Sequence, residues 1–354
     1  MNDFYNEQET VIIETPEERN SKMRKQRKLF SRVFLALFLY IVLSQICSIV
    51  IYVVAQMVLS PEKYAEFFAS SIATVVVSCV SQYLIAFPVF LLTLIGTKKS
   101  QKAVKSSISV KELAFYFLIG QSLMYIGNLV GTFLNNFFGA LTGKVPENSI
   151  SEIITEIPIW LIFVMLVIIG PIVEELIFRK LMIDRLATYG DHMAVLFSAI
   201  AFGLMHANLY QFFYATLIGL LLGLVYTRTR NVKYTAILHI VTNFMGSIAV
   251  LPFEEPINKL YTIMEEINLG ITPDLPSLIY NGTLTLIFFN IQFGMVIGGI
   301  FVLVDYLKKK KLSISRDKEI YLPDNIVIKN GFVNVGAILF LVVTFILTAI
   351  NMIA

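Results

Sequence analysis

Charge is the commodity this chain has least of. Of its 354 residues only 15% are Asp, Glu, Lys or Arg, against 56% hydrophobic, and the mean hydropathy is +0.74. Ordinary soluble domains carry about 25% charged residues, so a soluble globular fold is excluded and the chain reads as integral to a membrane. No stretch alternates apolar and polar residues over a strand's length, which excludes an outer-membrane-type β-barrel. Cysteine is nearly absent. Cys47 and Cys79 lie inside apolar runs without CxxC or metal-ligand spacing, and read as small buried side chains, not as a disulfide or zinc framework. The single tryptophan, Trp160, falls near the end of an apolar run, where an indole anchors at the headgroups. HExxH and GxGD are missing. Gly120-Gln121-Ser122-Leu123 lacks the second glycine and the partner histidine of a rhomboid-type serine site.

Long apolar runs are what the chain does have. They cover roughly 33–58, 70–96, 113–141, 158–186, 192–208, 210–228, 233–252, 279–306 and 332–352. At about 20 residues per crossing, they predict an all-α integral membrane protein, a polytopic bundle of eight or nine transmembrane helices. The count turns on the short pair around His206. The first residues, 1–20, are polar and acidic, with no apolar run near the start, so they read as a mobile tail and not as a signal peptide.

The positive charges are distributed asymmetrically. Lys22, Arg24, Lys25, Arg27, Lys28 and Arg32 precede the first run. Lys98, Lys99, Lys102 and Lys105, then Arg179, Lys180 and Arg185, then Arg228, Arg230 and Lys233, then Lys308 to Lys311 fall on the same side if every run crosses. Glu62, Glu66, Glu147, Glu152, Glu156, Glu254, Glu255, Glu265, Glu266 and Asp274 fall opposite. The bias predicts a cytoplasmic N-terminus in the cell membrane. A net charge of +3 that resolves into such alternation argues for topology and against nucleic-acid binding; the basic segments suit contact with anionic membrane lipid.

Four regions follow: a polar cytoplasmic tail (1–30), N-terminal transmembrane helices (31–150), a chemically loaded core (151–306), and a basic segment with a last transmembrane helix (307–354). A loop over 142–157, with Gly143, Pro146 and Asn148, separates the two halves, and 253–278 reads as an external loop containing a short amphipathic helix. Gly219-Leu-Leu-Leu-Gly223 and Gly294-Met-Val-Ile-Gly298 have the GxxxG spacing of close helix packing.

Ionisable residues inside apolar runs are costly, roughly 2.5–3.5 kcal/mol for each charge, and mark function. Here they are Glu174, Glu175 and Arg179, then Phe202 with His206, then His239 with Asn243. His192, at a loop boundary after Asp191, receives no role. Glu175 and Arg179, four apart, share a helix face and form an ion pair; Glu174, about 100° away, points elsewhere and is the group suited to act as a general base. His239 and Asn243 share another face. These groups can activate water in two ways, which the residues leave open. Glu174, His206 and His239 can ligate a divalent metal, zinc by donor type. Without metal, Glu174 and His206 can deprotonate water while His239 and Asn243 donate hydrogen bonds to the developing oxyanion. Either route hydrolyses an amide. A transporter or proton relay also uses buried Glu, His and Arg, but neither paired broken helices nor a chain of acids through the membrane is present.

The ordered trio Glu-Glu-x-x-x-Arg, Phe-x-x-x-His and His-x-x-x-Asn, each on a separate apolar helix, resembles the CAAX protease and bacteriocin-processing (CPBP, Abi) family of intramembrane endopeptidases. The resemblance covers about residues 155–305. It implies that Glu174, His206, His239 and Asn243 line an active site supported by Glu175 and Arg179. It also implies a peptide or lipidated protein as substrate: a prenylated C-terminal CAAX peptide in eukaryotic relatives, and roles in peptide maturation, bacteriocin immunity or scaffolding in bacterial ones. A non-catalytic immunity or scaffold protein of the same fold therefore stands beside the protease reading.

Overall fold

The computed structural model describes residues 14–68, 70–101, 106–143 and 157–353. The first helix, α1 (Pro16–Val58), starts well before the apolar run does. Thr15 Oγ1 accepts from the Glu18 amide at 3.2 Å while the Glu18 carboxylate accepts from the Thr15 amide at 3.0 Å. This capping box, with Pro16 at the first helical position, nucleates the helix inside the polar segment. The mobile tail expected over 1–20 is corrected over its described part: from Pro16 the chain is helical. Residues 1–13 lie outside the described residues, as does most of the expected 142–157 loop.

A short helix, α2 (Pro61–Phe68), leads to α3 (Ser71–Thr93), followed by α4 (Val110–Thr142) and α5 (Ile159–Tyr189). Next comes a hairpin of α6 (Asp191–Met205) and α7 (Leu209–Thr229), then α8 (Val232–Ser247) and α9 (Leu251–Asn268). The chain ends with α10 (Leu275–Lys308), α11 (Asp324–Phe332) and α12 (Val335–Ile353). Among the described residues eight helical stretches are long and apolar enough to cross a membrane, with α8 and α9 forming one stretch, and α6 is a shorter apolar ninth. The expected all-α polytopic bundle is what the chain forms. The amphipathic helix expected within 253–278 is α9; the short α11 was not anticipated.

Two widened π-helical turns have a sequence cause. Val80–Ala86 precedes Pro88 and Ile162–Ile169 precedes Pro171. A proline inside a helix cannot donate to the residue four back and presses its ring on that carbonyl, so a wider turn before it relieves the clash. A third π turn, Leu176–Ile183, contains no proline.

The α6–α7 hairpin is closely packed through its glycines. A Cβ on Gly203 would sit 2.7 Å from the Phe212 carbonyl oxygen, one on Gly219 3.0 Å from Ala199 Cα, and one on Gly223 2.7 Å from a Val195 methyl. The packing role expected of Gly219 and Gly223 therefore holds. That expected of Gly294 and Gly298 does not: nothing lies within 4 Å of a Cβ at either, and it is Gly299 that lies against the Leu118 carbonyl and Ser122.

Basic residues from distant segments gather at one end of the bundle. Arg32 donates to the carbonyls of Thr93 and Ile95 at 2.6 and 2.7 Å, and Arg185 to Thr97 Oγ1 at 2.6 Å. Arg228 donates to Tyr116 and the Ser313 carbonyl, and Arg230 pairs with Asp191 at 2.7 Å. Residues 313–322 run across this end: the His192 amide donates to the Ser315 carbonyl, and the Glu319 and Ile320 amides donate to that of Thr188. Arg179 does not belong to this group. It is fully buried within α5, and its place among the interfacial cations is corrected.

Candidate active site

Glu174 is the middle residue of the 31-residue span Ile159–Tyr189. The α-helical turn Gly170–Glu175 that carries it is framed by the two π turns of α5. Glu175 and Arg179 form the expected pair, with Arg179 Nε 3.1 Å from Glu175 Oε2 and both side chains wholly inaccessible. Arg179 Nη1 donates to Ser198 Oγ at 2.9 Å, and Ser198 donates onward to the Phe178 carbonyl. The guanidinium also lies over the Phe202 ring, 5.1 Å from its centre, a cation–π contact from α6 that supports the charge where water is excluded.

His239 sits between the two glutamates. Its Nδ1 donates to Glu175 Oε1 at 3.2 Å, and its Nε2 faces Glu174 Oε2 at 3.5 Å. The helical phase that separates neighbouring glutamates by about 100° thus lets α8 present one imidazole to both. Glu174 is consequently not partnerless, and Glu175 has a second partner besides Arg179, two corrections to the simple division of roles. Their exposures still differ sharply: 37% for the Glu174 side chain and 0% for Glu175. The open carboxylate is Glu174.

The other two candidates are placed nearby but engaged differently. His206 ends α6, and its Nδ1 donates to the Phe202 carbonyl at 2.8 Å, leaving Nε2 as the nitrogen available for water. Phe202 stands edge-on to both imidazoles, its ring centre 5.0 Å from that of His206 and 5.6 Å from that of His239. Asn243 donates to the Leu166 carbonyl, within the π turn, at 3.0 Å. Ala207, next to His206, has φ +47°, and its carbonyl accepts from Asn351 of α12 at 2.8 Å. At about 1.5 Å per residue the 15-residue α6 is too short to cross a full bilayer by itself.

Glu174, His206 and His239 do not form a ligand set as they stand. Among the described residues no three His, Cys, Asp or Glu side chains converge with metal-holding geometry, because Phe202 stands between the histidines and both His239 nitrogens are turned to carboxylates. Sequence reasoning also passed over Ser198 and Thr235. Ser198, Phe202 and His206 recur every four residues on α6, as do Thr235, His239 and Asn243 on α8. Thr235 is fully buried and its hydroxyl faces Glu175. The i, i+4 stripe was the signal for both.

Known proteins give two points of comparison. A family model described as type II CAAX prenyl endopeptidase Rce1-like matches residues 156–245. A protein of Bacillus subtilis (strain 168) named "Putative membrane peptidase YdiL" is 28% identical over 152 residues, covering 40% of this chain and 60% of that protein. The chain thus spans about 60% of the length of the curated relative it matches. No solved structure matches. Every residue of the constellation from Glu174 to Asn243 lies within 156–245, the segment that this family model matches.

Proposed function

We propose that the protein is an intramembrane endopeptidase that cleaves a membrane-associated or lipidated peptide with water activated at Glu174. The observation that carries this reading is the side-chain series Ser198–Arg179–Glu175–His239, hydrogen-bonded link by link and ending with His239 Nε2 facing Glu174, the one open carboxylate of the two. Arg179 and Glu175 fix the His239 ring, whose Nε2 lies 3.5 Å from the Glu174 carboxylate. A carboxylate open in this way is suited to take a proton from water as the oxygen attacks a carbonyl. His206, whose Nδ1 is taken by the Phe202 carbonyl, offers its Nε2 to the same water. The reaction is assigned no metal step, since the donors do not converge on one.

The test is cleavage by the purified protein in lipid nanodiscs, first of a membrane-peptide library and of farnesylated CAAX peptides, then with Glu174→Gln. Cleavage by the wild type that vanishes in the variant, with metal below stoichiometry and activity indifferent to chelators, supports the reading. Intact activity in Glu174→Gln sinks it, and stoichiometric metal in the active protein removes the direct-base role. Access to the site is assigned to the cytoplasmic side on the basic residues at one end of the bundle. An impermeant thiol reagent that labels a cysteine at Lys98 or Lys309 from outside sealed cells would reverse that assignment.

A further inference from the structure

Amide hydrolysis needs a donor for the carbonyl oxygen that becomes negative, and the groups expected to supply it are largely committed. Both ring nitrogens of His239 face carboxylates, and Asn243 already donates to Leu166. We propose that Tyr83 of α3, outside the matched segment, supplies that donor, its hydroxyl lying along the Gly170–Glu174 face of α5. The proposal rests on the peptidase reading of this site and adds a catalytic residue to it.

Three observations converge on this hydroxyl. It lies 3.5 Å from where a Cβ on Gly170 would be. Gly170 and Glu174, four apart in one α-helical turn, share a face and are about 6 Å apart along the axis. Second, the hydroxyl has no protein hydrogen-bond partner among the described residues, whereas Tyr40 is near Gln82, Tyr116 accepts from Arg228 and Tyr226 donates to Asp184. An unshared phenol at membrane depth awaits a partner that is not protein backbone. Third, the depths match. Tyr83 is one residue past the middle of Ser71–Thr93, Glu174 is the middle of Ile159–Tyr189, and the Glu174 charge acts on the Tyr83 side chain. The π turn Val80–Ala86 that holds Tyr83 is the one before Pro88, so the same proline that widens α3 sets the register of this residue.

The step balances as follows. Water oxygen bonds to the scissile carbonyl carbon as its proton passes to Glu174, and the carbonyl π pair moves onto oxygen, where the Tyr83 O–H donates to it. The pair then returns, the C–N bond breaks, and the departing nitrogen takes the proton from Glu174, leaving a free amine and a carboxylic acid.

The experiment compares wild type, Tyr83→Phe, Tyr214→Phe and Glu174→Gln in nanodiscs on one cleaved library peptide, with a peptide aldehyde of the same sequence as a tetrahedral mimic. Tyr214 is included because the Glu174 charge reaches it as well. Expected for Tyr83→Phe is a loss in kcat of about a hundredfold, as for removal of one oxyanion donor, with KM within about threefold, an unchanged melting temperature and weaker aldehyde binding by a similar factor. Difluorotyrosine at position 83 covers the case where phenylalanine disturbs folding: it keeps the shape and lowers the hydroxyl pKa, so the alkaline limb of the kcat profile should move to lower pH. A kcat within threefold of wild type in Tyr83→Phe, a loss confined to KM, an unmoved profile, or a kcat loss in Tyr214→Phe alone overturns the assignment. Silence of Glu174→Gln alongside full activity of Tyr83→Phe would fault Tyr83 only, and a wild type that cleaves nothing removes both.

Discussion

Helices α7 and α10 are both apolar enough to span, yet α7 hides 56% of its most apolar window inside the protein and α10 hides 11%. By mean hydropathy α10 is the greasier of the two, 2.2 against 1.7. The contrast teaches that in a membrane hydropathy reports the solvent, and polar or small residues report the protein. Lipid satisfies Ile, Leu and Phe as well as a neighbouring helix does, so apolar residues on α10 need no partner. The carboxylates, imidazoles and guanidinium of α5, α6 and α8 cannot face hydrocarbon, so those helices must enclose them.

The largest expected difference between the shielded core and its periphery lies at the glutamate pair. Glu174→Gln should lower turnover by at least about a thousandfold, the reach of general-base catalysis, without lowering the melting temperature, because a neutral amide is cheaper to bury than a carboxylate. Glu175→Gln should instead cost about 3–5 kcal/mol of stability by stranding Arg179 and unpinning His239, and Arg179→Met added to it should restore part of that. Thermal melts in detergent beside the cleavage assay check both. A Glu174→Gln that unfolds the protein while Glu175→Gln only silences it would exchange the two roles.

A smaller effect separates core from periphery by backbone proximity. Gly203→Ala and Gly223→Ala push a methyl into Phe212 and Val195 and should destabilise by about 1–3 kcal/mol. Gly294→Ala and Gly298→Ala meet open space and should change the melt little, or raise it slightly through helix propensity. Equal losses at all four would erase the distinction between the closely packed glycines and the unpacked pair.

The smallest effect is at the basic end. Asp324 accepts from Lys318 Nζ at 2.5 Å and lies 3.1 Å from His192 Nε2. The hydrogen bond from Lys318, and then that from His192, hold its carboxyl below the usual aspartate value. A lowered folded pKa means the contribution is present above the unfolded pKa and lost as pH falls through the folded one. Wild type should therefore lose its margin over Asp324→Asn below about pH 4, by less than about 1 kcal/mol because the pair is solvent-screened. A constant difference from pH 7 to pH 3 would show that Asp324 contributes nothing through its charge.

Much of the molecule was legible before any coordinates. Apolar length gave the helices, since about 20 residues must hide their own backbone groups in lipid. Helical phase gave the Glu175–Arg179 pair, and i, i+4 spacing gave the His239–Asn243 face. The early start of α1 was readable too, from Thr15 and Glu18. Tertiary structure decided what local periodicity does not encode: that one imidazole bridges two neighbouring glutamates, that Asn243 is drawn to a carbonyl in a π turn, and that Phe202 stands between the histidines. It also decided which glycine pair is packed and which merely has the spacing, and it brought Tyr83 from a separate helix to the Gly170–Glu174 face. The physical reason is common to all of these. Helix formation depends on residues a turn apart, whereas the site depends on the rotation and depth at which separate helices meet, and those are set by packing across the whole bundle.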